Sequence, residues 1–191
     1  MNYAVFLDRD GTIIHDKHYL RHPDQVEFFQ GAIESLAKLQ QAGFKLFIVS
    51  NQSGVGRGFF TLAEVQHVND HLLGQLAPCG VRLDKIYIAP EAPDAPSIGR
   101  KPSPRFVFDA RDEFGLNLAQ SYFIGDKLCD LECGWNAGLR KSILVRTGYG
   151  AELERTSNDN LGRAVIVDDL IAAVSWILKD SNQLQHKCAA S

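Results

Sequence analysis

The chain has 191 residues, 45% hydrophobic and 23% charged, with a formal net charge of −3. That is enough for one domain with a substantial core, with no basic excess to suit a nucleic-acid partner and no apolar run long enough to span a bilayer. Four scattered cysteines make no disulfide framework, and the early charges Asp8, Arg9 and Asp10 do not suit a signal peptide, so a reducing cytoplasm is the expected compartment.

The first apolar run, residues 3–7, predicts a buried strand that stops at Asp8-Arg9-Asp10-Gly11-Thr12. Side chains two apart in extended chain project to the same side, so Asp8 and Asp10 are expected to share one small space. Gly11 permits a sharp exit from it. Two carboxylates that close resist ionising together unless a cation lies between them, and a magnesium-sized ion resolves the conflict. The pattern suits phosphoryl transfer: one carboxylate attacks phosphorus, while the other gives a proton to the leaving oxygen and then activates water. A calcium loop is excluded, since it needs an acidic residue or Asn in place of Thr12, Glu in place of Tyr19 and a helix in front.

Residues 15–24 read as a polar loop or small flap beside the site. His15, His18 and His22 are taken as loop residues, because no Cys or carboxylate pattern completes a zinc set. Helical spacing follows over 31–42, then a second strand over 44–49 that runs into the polar, glycine-rich stretch 50–58. A helix is predicted over 61–77, with Thr61 and Glu64 as a capping box and Leu62, Val65, Val68, Leu72 and Leu76 as its buried stripe. His67 and His71 fall off that stripe, and Cys129 and Cys133 are read as small packing residues. A strand over 85–89 leads into a Pro-rich loop over 90–99, and a helix is predicted from Pro102 to Gly115. The strand over 122–124 stops at Gly125-Asp126-Lys127, before a short helix over 128–138. Strands over 142–145 and 164–167 and a helix over 169–178 complete a single domain, 1–180, with 181–191 as a tail.

Strands alternating with helices predict a doubly wound, mainly parallel α/β sheet covered on both faces. Ligands of such sheets bind outside the carboxyl ends of the strands. Asp8, Ser50, the Arg100-Lys101 pair and Asp126 each follow one of four strands, and are expected to converge on one rim.

Taken together, Asp8-x-Asp10-Gly11-Thr12, Ser50-Asn51, Lys101 and Gly125-Asp126-x-x-x-Asp130 resemble the four motifs of the haloacid-dehalogenase (HAD) superfamily of phosphatases, in that family's order. The resemblance implies a Rossmann-like fold with Asp8 as nucleophile and Asp10 as general acid/base. It also implies that Ser50 and Lys101 hold the phosphoryl oxygens, and that Asp8, Asp126 and the backbone carbonyl of Asp10 hold Mg2+. The stretches 8–12, 51–58, 100–102 and 125–127 further resemble the superfamily's heptose-bisphosphate phosphatases, which lie close to the histidinol-phosphate phosphatases. Ser53-Gly54 followed by Arg57-Gly58 tilts toward the former.

That narrower resemblance implies a small soluble sugar bisphosphate as substrate, in the making of heptose for lipopolysaccharide or related glycans. Asn51, Gln52, Ser53, Arg57, Arg100 and Lys127 would then be its contacts. A second phosphate needs cations of its own, and Arg matches phosphate oxygens in a fork. Histidinol phosphate or another small phosphate ester is the alternative substrate. A non-catalytic phosphate-binding domain is the alternative of another class, and the intact Asp8, Asp10, Ser50, Lys101 and Asp126 oppose it.

One departure stands out. Relatives often hold a structural zinc on three Cys and a His just before Arg100, but residues 90–99 contain neither, so no zinc is expected. No insertion after Gly11 or Ile88 is long enough for a cap domain. The resemblance therefore implies an open site on a capless enzyme, with loops 15–24, 52–60 and 90–100 selecting the substrate. A monomer is expected, since no apolar stripe is left without a core to face.

Overall fold

The computed structural model describes residues 2–157 and 161–189. Within them, six strands form one sheet: β1 (Ala4–Leu7), β2 (Lys45–Asn51), β3 (Lys85–Ala89), β4 (Tyr122–Gly125), β5 (Lys141–Val145) and β6 (Val165–Val167). Every neighbouring pair is parallel, in the order β3-β2-β1-β4-β5-β6. The helices are α1 (Ala32–Gln41), α2 (Ser53–Gly56), α3 (Leu62–Leu76), α4 (Arg105–Phe114), α5 (Leu128–Asn136), α6 (Gly150–Thr156) and α7 (Leu170–Ala189). This is the doubly wound, Rossmann-like α/β sheet that the sequence predicts.

The alternation of side chains along β1 divides the core in two. Val5 and Leu7 join a cluster with Leu36 of α1, Leu72 of α3 and Val174 of α7. Ala4 and Phe6 face the other way, toward Val107 of α4 and Cys133 of α5. On that side Phe6 stacks on Phe47 and Phe123, with ring centroids 5.2 and 6.2 Å away. Burial on both faces is why the central strands read as unbroken apolar runs. The strand order reverses at β1, whose Leu7 lies opposite Ile48 of β2 and Ile124 of β4. A crevice opens beyond the carboxyl ends at such a switch point.

Several boundaries move from the sequence reading. The helix predicted from Pro102 begins at Arg105. Ser103 precedes Pro104 and is thereby kept out of the helical region, so the helix cannot start earlier. Leu62 is not part of the buried stripe: it is 53% exposed at the first position of α3, while Val65, Val68, Leu72 and Leu76 are buried. The turn after β2 contains α2, and α6 was not predicted at all. Helix α7 runs to Ala189, past both Leu178 and residue 181, because nothing in that stretch is Gly or Pro. Residues 190 and 191 of the expected tail lie outside the described residues.

Between β1 and α1 there are only isolated bridges and a 3-10 turn, Pro23–Gln25, and residues 90–104 between β3 and α4 hold no helix or strand. No helix among the described residues is long and apolar enough to cross a membrane. The capping box of α3 is formed: Glu64 N–H donates to Thr61 Oγ1 at 3.2 Å, and the Glu64 carboxylate accepts from Thr61 N–H at 2.7 Å. Thr61→Ala should lower stability by about 1 kcal/mol, read as a lower urea midpoint at unchanged slope.

Candidate active site

Beyond the end of β1 the Asp8 carboxylate is buried against a buried lysine. Lys101 Nζ lies 2.8 Å from Asp8 Oδ1, 2.6 Å from Asp130 Oδ1 and 2.6 Å from the carbonyl oxygen of Val49. Two of these, to Asp8 and to the Val49 carbonyl, are hydrogen bonds; the contact with Asp130 is an ion pair, and Asp130 Oδ1 has no hydrogen-bond partner. Burial alone would push the Asp8 carboxyl up, but the charges of Lys101 and then Lys127, with the Lys101 hydrogen bond, outweigh it and hold it below its ordinary value. Burial works against the Lys101 charge in the same way, and the charges of Asp130 and Asp8 reverse that and raise its pKa. Asp130, on the first turn of α5, is raised by burial, with the charge of Lys101 opposing.

Asp126 follows β4 directly and is fully buried. Its Oδ2 accepts from Tyr149 N–H at 2.9 Å, whereas Oδ1 has no hydrogen-bond partner. Gly11, at φ +85°, and Gly148, at φ +56°, enclose this carboxylate so closely that a Cβ on either would collide with it. Thr147 Oγ1 closes the enclosure by donating to the Gly11 carbonyl at 2.6 Å. Burial, and after it the Asp8 charge, push the Asp126 pKa up to about 8. One buried lysine thus faces three buried carboxylates, Asp8, Asp126 and Asp130, whose oxygens lie within 4.8 Å of one another. This donor set fits a small hard divalent cation, which would relieve the excess negative charge and use the unpaired Asp126 oxygen.

Asp10 lies one turn residue beyond Asp8. Its carboxylate accepts from Arg9 Nη2 at 3.0 Å, from Arg9 Nε at 3.2 Å and from Gln52 Nε2 at 2.8 Å. Gln52 Nε2 also donates to Ser50 Oγ at 2.8 Å, so Gln52 ties the end of β2 to the Asp turn. Asn51 clamps the Lys101 backbone from both sides, its Nδ2 donating to the Lys101 carbonyl at 3.1 Å and its Oδ1 accepting from Lys101 N–H at 3.0 Å.

Two cavities open from this floor. One, of about 190 Å³, is lined by Asp8, Asp10, Ser50, Asn51, Ser53, Arg100, Lys101 and Lys127. The other, of about 260 Å³, adds Asp16, His18, Tyr19, Phe60 and Tyr149 to Asp10, Asn51, Gln52, Ser53 and Lys127. Lys127 stands between them, 3.6 Å from Asp16 and 3.8 Å from Asp126, with its ammonium 4.8 Å from the Tyr149 ring centre. Nine of the residues singled out in the sequence therefore meet here or directly beneath: Asp8, Asp10, Ser50, Asn51, Gln52, Ser53, Arg100, Lys101 and Lys127. Asp126 joins them through the carboxylate group. Arg57 does not line either cavity; it is exposed at the end of α2, its Nη1 3.3 Å from the Tyr19 hydroxyl.

The loop before Arg100 is held by its own polar groups. Ser97 Oγ donates to the Glu91 carboxylate at 2.7 Å and accepts from Arg100 N–H at 3.1 Å, while Arg100 Nη1 reaches the Glu91 carbonyl at 3.3 Å. The Pro90 carbonyl accepts from Gly56 N–H at 2.8 Å, which joins the loop to α2. Of the histidines, His15 packs on Phe29 and His18 Nδ1 lies 3.3 Å from the Tyr149 hydroxyl. His67 and His71 are exposed.

Sequence reasoning gave no role to Asp130, Arg9, Asn69 or the Thr147–Tyr149 turn. Asp130 had its place in a motif as a signal. Asn69 had another: a polar residue beside Val65, Val68 and Leu72 on a buried helix face.

A family model described as polynucleotide kinase 3 phosphatase matches residues 3–134, and one described as HAD-hydrolase-like matches residues 98–173. The chain is 40% identical over 153 residues to D-glycero-beta-D-manno-heptose-1,7-bisphosphate 7-phosphatase of Escherichia coli K12, covering 76% of this chain and 80% of that one. It is 39% identical over 185 residues to D-glycero-D-manno-heptose-1,7-bisphosphate 7-phosphatase of Chlorobaculum tepidum, covering 90% and 92%. Among solved structures it is similar to D,D-heptose 1,7-bisphosphate phosphatase from B. bronchiseptica, complexed with magnesium and phosphate. The TM-score is 0.86 at 30% identity, over 94% of this chain and 99% of that one.

Proposed function

Because this chain belongs to the HAD-like phosphatases and is a phosphoric monoester hydrolase, we propose that it removes the 7-phosphate of D-glycero-D-manno-heptose 1,7-bisphosphate through an aspartyl-phosphate intermediate. The observation that carries the chemistry is the Asp8–Lys101–Asp130 contact at the sheet's switch point, with Asp126 and Asp10 beside it. Asp8, held ionised by Lys101, attacks phosphorus; its new bond to phosphorus forms as the bond to the sugar oxygen breaks. Asp10 gives the departing oxygen a proton. It then takes one from a water, whose oxygen attacks the phosphorus of phospho-Asp8 and frees inorganic phosphate.

Asp8, Asp126 and the carbonyl of Asp10 would hold Mg2+, which supplies positive charge against the phosphoryl oxygens. Ser50 Oγ offers a hydrogen bond to those oxygens. Lys101 acts on them chiefly through its charge, since two of its hydrogens are engaged by Asp8 and the Val49 carbonyl. Arg100 and Lys127, at the rim of the smaller cavity, suit the second phosphate, with Asn51, Gln52 and Ser53 shaping the wall between. Arg57 would reach the substrate only by leaving Tyr19. The relatives' names support the heptose, and the two-cation rim supports a bisphosphate. We also propose that the enzyme acts as a monomer in the cytoplasm.

The test is phosphate release by the purified protein with magnesium or with EDTA, on both anomers of the heptose bisphosphate, on histidinol phosphate and on hexose bisphosphates. Magnesium-dependent turnover that prefers the heptose by about tenfold or more (about 1.4 kcal/mol) is expected. Equal slow turnover of every ester would leave the chemistry standing and remove the heptose.

A further inference from the structure

Arg9 is the largest fully buried side chain of the described residues, at 0% exposure. A guanidinium taken out of water is tolerated only when its donors and charge are met. Two groups meet this one. Its Nη1 donates to Asn69 Oδ1 at 2.7 Å, and its Nη2 and Nε edge lies on Asp10 Oδ2 at 3.0 and 3.2 Å. Asn69 is itself 1% exposed, on the α3 face that otherwise buries Val65, Val68 and Leu72. An amide on that face adds nothing to apolar packing, and the guanidinium is the partner found for its oxygen.

We propose that Asn69 and Arg9 form a positioning relay that anchors the Asp10 carboxylate to α3, so that its proton is delivered to the leaving oxygen. The proposal rests on the reading of Asp10 as proton donor given above. Arg9 approaches Asp10 as a fork, Nε on Oδ2 at 3.2 Å and Nη2 also 3.3 Å from Oδ1, and such a fork fixes a carboxylate in plane as well as in place. Without Asn69 the guanidinium keeps its contact with Asp10 but loses its far anchor to α3, so that Gln52 is the remaining hydrogen bond tying the Asp10 carboxylate to the fold beyond Arg9. Arg9 and Asn69 line neither cavity of the site, so they act on the reaction through Asp10 and not by touching substrate.

The experiment compares kcat/KM for two phosphate esters on the same preparation, which makes the ratio independent of the folded fraction. Heptose 1,7-bisphosphate expels an alkoxide that needs a proton; p-nitrophenyl phosphate expels a phenolate that hardly does. Asn69→Ala should lower kcat/KM for the heptose ester about 10- to 100-fold and that for the aryl ester less than about threefold. Arg9→Lys, which cannot span both partners as a fork, should do the same. Asn69→Asp keeps an acceptor for Arg9 and should recover the heptose value to within about threefold of the unaltered enzyme. If Asn69→Ala and Arg9→Lys reduce both esters alike, or neither, the relay is refuted. Asp10→Asn separates the two failures: it should discriminate between the esters more strongly than either variant. If it discriminates and they do not, only the relay falls; if it does not, the assignment of Asp10 falls and takes the relay with it.

Discussion

Asp8→Asn should lower kcat/KM by roughly four orders of magnitude or more while leaving the fold intact. The amide has the shape of the carboxylate and cannot form the bond to phosphorus. The fold survives because Lys101 keeps its ion pair with Asp130 and its hydrogen bond to the Val49 carbonyl, so no buried ammonium is stranded. The Lys101 charge also remains balanced, since Asp130 stays beside it. Loss of the Asp8 charge removes one cause of the raised Asp126 pKa, so Asp126 should ionise more readily in the variant. Parallel measurements of kcat/KM and of the urea midpoint check both halves. Turnover within about tenfold of the unaltered enzyme would take Asp8 out of the covalent step.

What could be read from the sequence follows from which contacts are local. Strands β1, β2 and β4 announce themselves as apolar runs because both faces of the sheet are covered, and each stops where the chain reaches the rim. Asp8 and Asp126 were legible for that reason, being the first polar residues past a buried strand, and so was Ser50, the polar residue that ends the apolar run within β2. The partners of those residues were not, because they arrive from elements whose placement depends on the whole fold. Asn69 reaches Arg9 across 60 positions, and Tyr149 reaches Asp126 from the entrance of a helix only seven residues long, too short to show a period. Arg57 shows the converse. Its place in a glycine-rich stretch suggested phosphate, but the stretch folds into α2 and turns that side chain toward Tyr19. The distal part of α7 escaped for another reason: residues from Ser181 on have no apolar period, though none of them breaks a helix.

Asp126→Asn should abolish magnesium-dependent turnover, by about a thousandfold or more, and yet make the metal-free protein more stable at alkaline pH. The sign follows from the raised pKa. With its pKa pushed from 3.8 up to about 8, Asp126 in the folded protein keeps a proton that the unfolded chain has already lost over the window between those values. Where the folded state binds more protons, stability falls as pH rises, so the metal-free enzyme should weaken steadily from about pH 4 to about pH 8 and level off above. An amide at 126 carries no charge and escapes that loss. Its oxygen can still accept from Tyr149 N–H, and its NH2 carries no charge to oppose the Asp8 and Asp130 carboxylates, whose oxygens lie within 4.8 Å. In EDTA the variant and the parent should therefore melt together near pH 4 and separate near pH 8.5, the variant higher by roughly 1–2 kcal/mol, about 2–8 °C in Tm. Saturating magnesium should reverse the order at pH 8.5, because only the parent gains binding free energy. A variant that melts below the parent in EDTA at pH 8.5 would show that the carboxylate is neutralised by something other than a proton or a metal, and the charge conflict inferred at this site would be wrong.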